Sequence, residues 1–372
     1  MKYYIIAGEA SGDLHAANLM KALKKTDHEA QFRFWGGDLM QQVGGTPVKH
    51  YRDLAFMGFA EVIMNLRTIL QNISFCKNDI KEWDPHVIIF VDYPGFNLRI
   101  AKWARKEGYK THFYISPQIW AWKENRIKDI QRDIDEMYVI LPFEKDFYEQ
   151  KHNFKVNFVG HPLIDEIAER PPADINKLKA EYNLDDRPVI ALLPGSRKQE
   201  ISKMLEIMLS VTRDFKDYQF VIAGAPSQEE DFYRQFIKKS NVNLVMNRTY
   251  DLLEISTAAL VTSGTATLET ALLKVPEVVC YKGNFISYQI AKRVINLDYI
   301  SLVNLIMERE VVTELIQSDF NRQNLKKELL KILDQEHRKK IFSDYYELEQ
   351  KLGGKGASEK TAQLIYQKIS AS

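Results

Sequence analysis

Two patterns of apolar residues alternate along the chain. Short runs such as Tyr3-Tyr-Ile-Ile-Ala7 and Pro188-Val-Ile-Ala-Leu-Leu193 read as strands, and His86-Val-Ile-Ile-Phe-Val91 is apolar on both faces, as a central parallel strand must be. Segments with apolar residues at helical spacing follow them, such as Leu14, Ala17, Leu19, Met20 and Leu23, or Ile201, Met204, Leu205, Met208 and Leu209. Further strands are predicted at 218–223, 243–246, 258–261 and 277–281. Strand and helix in alternation predict an α/β protein of two doubly wound, Rossmann-like domains. Arg170-Pro-Pro-Ala-Asp174 is a breaker cluster, which puts a linker near residues 162–175. The expected domains are 1–165 and 175–350. A terminal helix, 351–372, follows Gly353, Gly354 and Gly356 and is expected to pack back on the first domain.

Chemistry concentrates where strands end. In Ala258-Ala-Leu-Val-Thr-Ser-Gly-Thr-Ala-Thr-Leu-Glu269 a strand breaks at Ser263-Gly264-Thr265 into a helix start, where free N–H groups and the helix dipole suit a phosphate. Thr265 and Thr267 add hydroxyl donors. One turn on, Glu269 can accept the two hydroxyls of a ribose. Gly195-Ser196-Arg197 repeats the arrangement, with Arg197 able to meet a diphosphate and Glu200 in the first turn of the next helix. In the first half, Gly8-Glu-Ala-Ser-Gly-Asp13 follows the opening strand. Asp13 reads as a helix N-cap, whereas a loop-and-cap reading leaves Glu9 unexplained. Asp92 leaves the strand 86–91 at its carboxyl end, where open α/β sheets bind ligands, and is the first candidate for a general base. Ser116-Pro-Gln-Ile-Trp-Ala-Trp122 sets two tryptophans beside Lys123, Asn125 and Arg126, a packing anchor or a wall for a sugar or acyl chain. Phe59, Val62, Ile63, Leu66, Ile69, Leu70 and Ile73 form a helical stripe with Arg67 and Lys77 nearby, either a core face or a membrane-touching one.

Composition narrows these readings. The 372 residues, 45% of them hydrophobic, suffice for two cores. A formal net charge of +1 gives no global field to recruit nucleic acid. The two cysteines, Cys76 and Cys280, lie far apart and form no metal or disulfide pattern, which fits a reducing, cytoplasmic setting. No run nears the ~18 apolar residues of a spanning helix. With no Asp-x-Asp beside a nucleotide loop, no obligatory metal is expected, and phosphate charge falls to Arg197 and the helix ends.

Taken together, Ala7-Gly-Glu-Ala-Ser-Gly-Asp13, Met57-Gly-Phe59, Asp92-Tyr-Pro-Gly-Phe-Asn97, Ser116-Pro-Gln-Ile-Trp-Ala-Trp122, Leu141-Pro-Phe-Glu144, Phe158-Val-Gly-His-Pro162, Leu193-Pro-Gly-Ser-Arg197, Ser263-Gly-Thr-Ala-Thr-Leu-Glu269 and Ser301-Leu-Val-Asn304 are ordered motifs. They resemble those of the lipid-A-disaccharide synthases, from residue 4 to about residue 317. Each alone is weak; the ordered set is specific. The resemblance implies a GT-B glycosyltransferase, two Rossmann-like domains facing a cleft. It would transfer 2,3-diacylglucosamine from its UDP derivative to 2,3-diacylglucosamine 1-phosphate, with inversion, giving a β-1,6 disaccharide of lipid A and lipopolysaccharide biosynthesis. It also implies a Gram-negative source, a cytoplasmic place at the inner-membrane surface and no cofactor beyond the UDP-sugar substrate. Catalysis falls to Asp92 and Glu9, either of which is a candidate base. UDP binding falls to Gly195, Ser196, Arg197, Glu200, Ser263, Gly264, Thr265, Glu269 and Asn304. The acceptor or its acyl chains fall to Ser11, Met57, Asn97, Ser116, Trp120 and Trp122.

Three other readings compete. A GT-B enzyme with another acceptor, such as the peptidoglycan glycosyltransferase, keeps the Ser263-to-Glu269 site but does not predict Trp120 and Trp122. A nucleotide-dependent oxidoreductase predicts a G-x-G-x-x-G loop, which is absent. A non-catalytic nucleotide sensor makes Asp92 dispensable.

Overall fold

The computed structural model describes residues 1–54, 66–237, 242–283 and 298–371. The chain forms two compact units, Met1–Asp165 with Leu352–Ser372, and Glu166–Lys351. The first contains seven strands, β1 (Lys2–Ala7), β2 (Gln31–Gly36), β3 (Thr46–His50), β4 (Val87–Val91), β5 (Thr111–Tyr114), β6 (Glu136–Val139) and β7 (Asn157–Phe158). Their order across the sheet is β3-β2-β1-β4-β5-β6-β7, with every ladder parallel. β4 is buried along its whole length because helices cover both faces. On one face Tyr4, Ile6, Trp35, Ile88, Phe90 and Phe113 join a single core.

The second unit holds β8 (Val189–Leu193), β9 (Gln219–Gly224), β10 (Val242–Met246), β11 (Ser256–Thr262), β12 (Glu277–Tyr281) and β13 (Glu314–Ile316). Their order is β10-β9-β8-β11-β12-β13, again all parallel. In each sheet the strand order turns back on itself once, between β1 and β4 and between β8 and β11. Such switch points open a crevice at the carboxyl ends of the strands. Register completes the placement: Ala7 pairs with Val91, and Val261 with Leu193. Glu9 and Asp92 therefore leave neighbouring strands of one sheet, while the Gly195 and Ser263 loops leave neighbouring strands of the other.

Three local readings change. Asp13 does not cap its own helix, which runs from Ala10 to Thr26 with Glu9 at the N-cap. Its buried carboxylate instead accepts hydrogen bonds from the backbone N–H groups of Gly37 (2.7 Å), Leu39 (3.1 Å) and Met40 (3.1 Å), satisfying orphan donors at the start of the short helix Asp38–Val43. The stretch read as a linker holds the helix Pro162–Glu169, with proline at its first turn. The apolar stripe also divides. On the helix Leu66–Trp83, Ile73 is buried and Ile69 packs against the core, while Leu70 is 55% exposed; Phe59, Val62 and Ile63 lie outside the described residues. The terminal helix Ala357–Ser370 belongs to the first unit, where Asp165 accepts hydrogen bonds from the N–H groups of Gly356 (2.6 Å) and Ser358 (3.4 Å) at its start.

Candidate active site

At the switch point of the first sheet the backbone leaves ordinary conformations. Asp92 (φ +46°) and Tyr93 (φ +51°) are consecutive left-handed residues, neither of them glycine. Such geometry is costly and persists only where surrounding contacts impose it. Asn97 is one source of that constraint. Wholly buried, it donates from Nδ2 to the carbonyl of Asp92 at 2.6 Å, with the carbonyls of Val91 and Ile6 at 3.4 Å. The N–H of Asp92 donates to Tyr114 O at 3.1 Å. Asn97, expected at the acceptor, thus latches the strand ends through Nδ2, while its buried Oδ1 has no partner among the described residues. Gly8 leaves room for the Tyr93 ring, since a Cβ there would lie 2.2 Å from a ring carbon.

The Asp92 carboxyl is pushed up to about 6, mainly by burial and then by the negative charge of Glu9, against a lowering hydrogen bond from the Tyr93 backbone. Glu9 and Ser11 are exposed beside it, at the start of the helix Ala10–Thr26. The loop after β5 is organised by a residue that the motif reading left without a role. Glu144 is buried and accepts from Ser116 Oγ (2.5 Å), Trp120 Nε1 (3.2 Å) and the N–H groups of Ile140 (3.1 Å) and Leu141 (2.9 Å). Burial raises its carboxyl to about 7 despite those bonds. Ser116 and Trp120 therefore turn their polar atoms to Glu144, and the Trp120 ring stands edge-on to Phe143 at 4.8 Å between centroids. Trp122 is exposed, with Lys123 Nζ 4.2 Å from its ring centroid. Met57 lies outside the described residues.

At the second switch point, Gly195 has φ +101°, and a Cβ there would fall 2.2 Å from Glu200 Oε2. Glu200 lies under this loop and accepts from the Ser196 N–H at 3.3 Å through Oε2, which braces the turn. Ser196 and Arg197 are exposed, Arg197 at the N-cap of the helix Lys198–Ser210. It makes no ion pair among the described residues. Ser263 Oγ donates to Ile300 O at 2.9 Å, and Thr267 Oγ1 to Gly264 O at 2.9 Å, which closes the turn and removes Thr267 as a free donor. Thr265, exposed, opens the helix Thr265–Leu272, and no described atom lies within 4 Å of where a Cβ on Gly264 would be. Asn304 is fully buried: Nδ2 donates to Val312 O (2.8 Å) and Glu314 Oε1 (2.9 Å), and Oδ1 accepts from the N–H groups of Val311 (2.8 Å) and Val312 (3.0 Å). With both ends of its amide engaged, it holds a loop together and has nothing left for UDP.

Glu269 faces a cleft of about 390 Å³ that also touches Arg170, Asn247, Arg248, Thr249 and Tyr250. Burial first, then the charge of Glu166, pushes its carboxyl to about 7, and a hydrogen bond from Tyr250 works against both. Tyr250 OH donates to Glu166 Oε1 at 3.4 Å. Arg170 and Arg248 are anchored on Asp251, Arg170 also on Glu254 and Arg248 on Glu181. In sequence Arg170 stood out only as part of a breaker cluster, and Glu166 and 247–250 not at all; the available signal was an asparagine, Asn247, directly after β10, which the structure holds left-handed at φ +58°. Among the described residues no cluster of three or more His, Cys, Asp or Glu side chains offers a metal site.

Two parallel sheets, each with glycine and carboxylate loops at its switch point, define a GT-B type α/β protein. Solved structures of this fold include the UDP-GlcNAc 2-epimerase of Neisseria meningitidis (TM-score 0.59, 13% identity, covering 100% of both chains). A glycosyltransferase from Rickettsia africae matches with TM-score 0.60 and 13% identity, over 99% of this chain and 98% of that one. At such identities the likeness is one of fold alone.

Sequence relatives are nearer. The lipid-A-disaccharide synthase of Syntrophus aciditrophicus is 39% identical over 96% of this chain and 95% of its own length. That of Geobacter sulfurreducens is 35% identical over 98% and 96%, and one from Coxiella burnetii 36% identical over 98% of both. The family pattern described as lipid-A-disaccharide synthetase matches residues 3–369, and the chain belongs to that family.

Proposed function

We propose that this glycosyltransferase of lipid A disaccharide synthesis takes 2,3-diacylglucosamine from its UDP derivative and joins it, β-1,6, to 2,3-diacylglucosamine 1-phosphate. What carries the residue assignment is Asp92, a carboxylate of raised proton affinity held in strained backbone at a sheet switch point. In this reading Asp92 takes the proton of the acceptor hydroxyl as its oxygen attacks the anomeric carbon of the donor, and the bond from that carbon to UDP breaks with inversion. Glu9 orients the acceptor. The charge that develops on the leaving diphosphate meets Arg197 and the N–H groups of the Gly195 and Gly264 turns, and Glu269 accepts the ribose hydroxyls. Half-buried and near Glu166, that carboxylate binds hydroxyls in a site less polar than bulk water, where the bonds are stronger.

The lipid substrates place the enzyme at the cytoplasmic face of the inner membrane. Leu70 and Phe75 are exposed on the helix Leu66–Trp83, which also carries Arg67, Lys77 and Lys81. Exposed apolar side chains among basic ones suit an anionic bilayer surface. Incubation with the UDP-linked lipid and the monosaccharide phosphate should release UDP only when both are present. Release from the donor alone, or from a donor without acyl chains at the same rate, would reject this substrate assignment.

A further inference from the structure

The helix Pro94–Lys106, which begins directly after Asp92 and Tyr93, walls a cavity of about 230 Å³ whose lining includes Leu54, Ile69, Tyr93, Gly95, Phe96 and Arg99. We propose that this cavity holds one acyl chain of the acceptor lipid, that Gly95 keeps its entrance open, and that Arg99 meets the acceptor's phosphate. The inference rests on the reading of the first unit as the acceptor-binding one.

The walls are preformed. Tyr93 OH donates to Leu54 O at 3.2 Å, and its ring lies 6.0 Å from that of Phe96, which in turn lies 5.4 Å from Trp35. Besides Arg99 the lining has one polar side chain, Asn72, whose Oδ1 accepts from Lys49 Nζ at 2.7 Å; the rest is aromatic and aliphatic and favours a saturated chain, because little order has to be imposed on binding. Tyr93 also ties the cavity to the chemistry. It is the next residue after Asp92, so a molecule with a chain against its ring has its sugar near the Asp92 carboxylate.

Gly95 is the second residue of the helix and lines the cavity. Gly95 is not in the left-handed region, and no described atom lies within 4 Å of the position its Cβ would take. Neither backbone conformation nor close packing against the described residues asks for glycine. What lies beside it is the cavity. Arg99 is one helical turn further along, on the same side. It is exposed and forms no ion pair among the described residues, so it is a cation at the rim of an apolar space, the pairing that an acylated sugar phosphate matches.

The test compares the full-length wild type with Gly95→Ala and Gly95→Leu on two acceptors, 2,3-diacylglucosamine 1-phosphate with butanoyl or with tetradecanoyl chains. In the wild type kcat/KM should favour the long-chain acceptor. Gly95→Leu should cut that preference by about tenfold, the effect of losing burial for a few methylenes, with Gly95→Ala between. UDP affinity and melting temperature serve as controls that the fold and donor site persist. Arg99→Ala should raise the KM for acceptor by about tenfold without changing that for donor, and Arg99→Lys should recover part of it. An equal loss on both acceptors, an unchanged chain-length preference, or an Arg99 effect shared by donor and acceptor would overturn the proposal. Failure of the wild type to glycosylate either acceptor would instead overturn the substrate assignment on which it rests.

Discussion

At Asp92 the backbone, the burial and the neighbouring charge all act on one carboxyl group. Its raised proton affinity sets a direction: a base works when deprotonated, so kcat/KM should fall with falling pH below about 6, where the carboxyl is protonated. Asp92→Asn keeps the shape and the turn but accepts no proton, so turnover should drop by about 10²–10⁴ with UDP binding intact. Near-normal turnover there, with Glu9→Gln inactive, would make Glu9 the base. Glu269 titrates near 7 and gives a separate signature in binding, since only its ionised form accepts from two hydroxyls without giving up an oxygen to a proton. UDP affinity measured by calorimetry should weaken as pH falls through about 7, and Glu269→Gln should abolish that dependence. At this scale sequence motifs could place residues but could not say what each one faces. Asn97, Ser116, Glu200 and Asn304 sit in motifs beside residues free to meet a ligand, yet each gives polar atoms to backbone or a neighbouring side chain, Asn97 through Nδ2 alone while its Oδ1 has no partner among the described residues. Glu166 and Glu269 lie far apart in the chain, and only the folded cleft brings their charges together.

Elements were more legible than side chains, because burial on both faces leaves an apolar run that few other structures produce. β4 (Val-Ile-Ile-Phe-Val), β8 (Val-Ile-Ala-Leu-Leu) and the Ala-Ala-Leu-Val centre of β11 could be read from their unbroken apolar runs, and the loops at their ends followed. β12 hides an exception. Glu277 lies in this central strand, fully buried, and neither carboxylate oxygen has a hydrogen-bond partner among the described residues. Burial, then the charge of Glu314 on β13, holds its carboxyl far above the usual range. The sign follows from linkage: the folded state keeps the proton while the unfolded chain releases it near pH 4.3, so stability declines as pH rises above about that value. Glu277→Gln removes the titration. Melting temperatures from pH 5 to pH 8 should flatten, and at pH 8 the variant should gain about 1–3 kcal/mol, the scale of a buried unpaired polar group. A variant that melts lower than wild type at pH 8 would mean that the carboxylate has a partner among the other residues.

For the molecule as a whole, a lipid substrate poses a question that neither sheet answers, namely how the enzyme reaches a chain that does not leave the bilayer readily. Periodicity showed an amphipathic helix without saying which apolar residues face the core. The helix Leu66–Trp83 keeps both kinds: Ile73 and Cys76 are buried, while Leu70 and Phe75 stand 55% and 49% exposed. Arg67 is exposed one turn before Leu70, and Lys77 and Lys81 lie 5.7 and 5.6 Å from the Trp103 ring. No described helix is long and apolar enough to cross a membrane. Each basic side chain near an anionic surface contributes about 1 kcal/mol, a term screened by salt over roughly 8–10 Å. The protein should therefore sediment with phosphatidylglycerol vesicles and much less with phosphatidylcholine vesicles, and raised salt should weaken the first. Leu70→Ser with Arg67→Ser removes one apolar and one basic contact from positions that the core does not use. This pair should cut vesicle binding by about tenfold while the melting temperature holds. If binding is unchanged and the fold intact, this helix is not the membrane-facing surface; if the fold is lost, Leu70 belongs to the core after all.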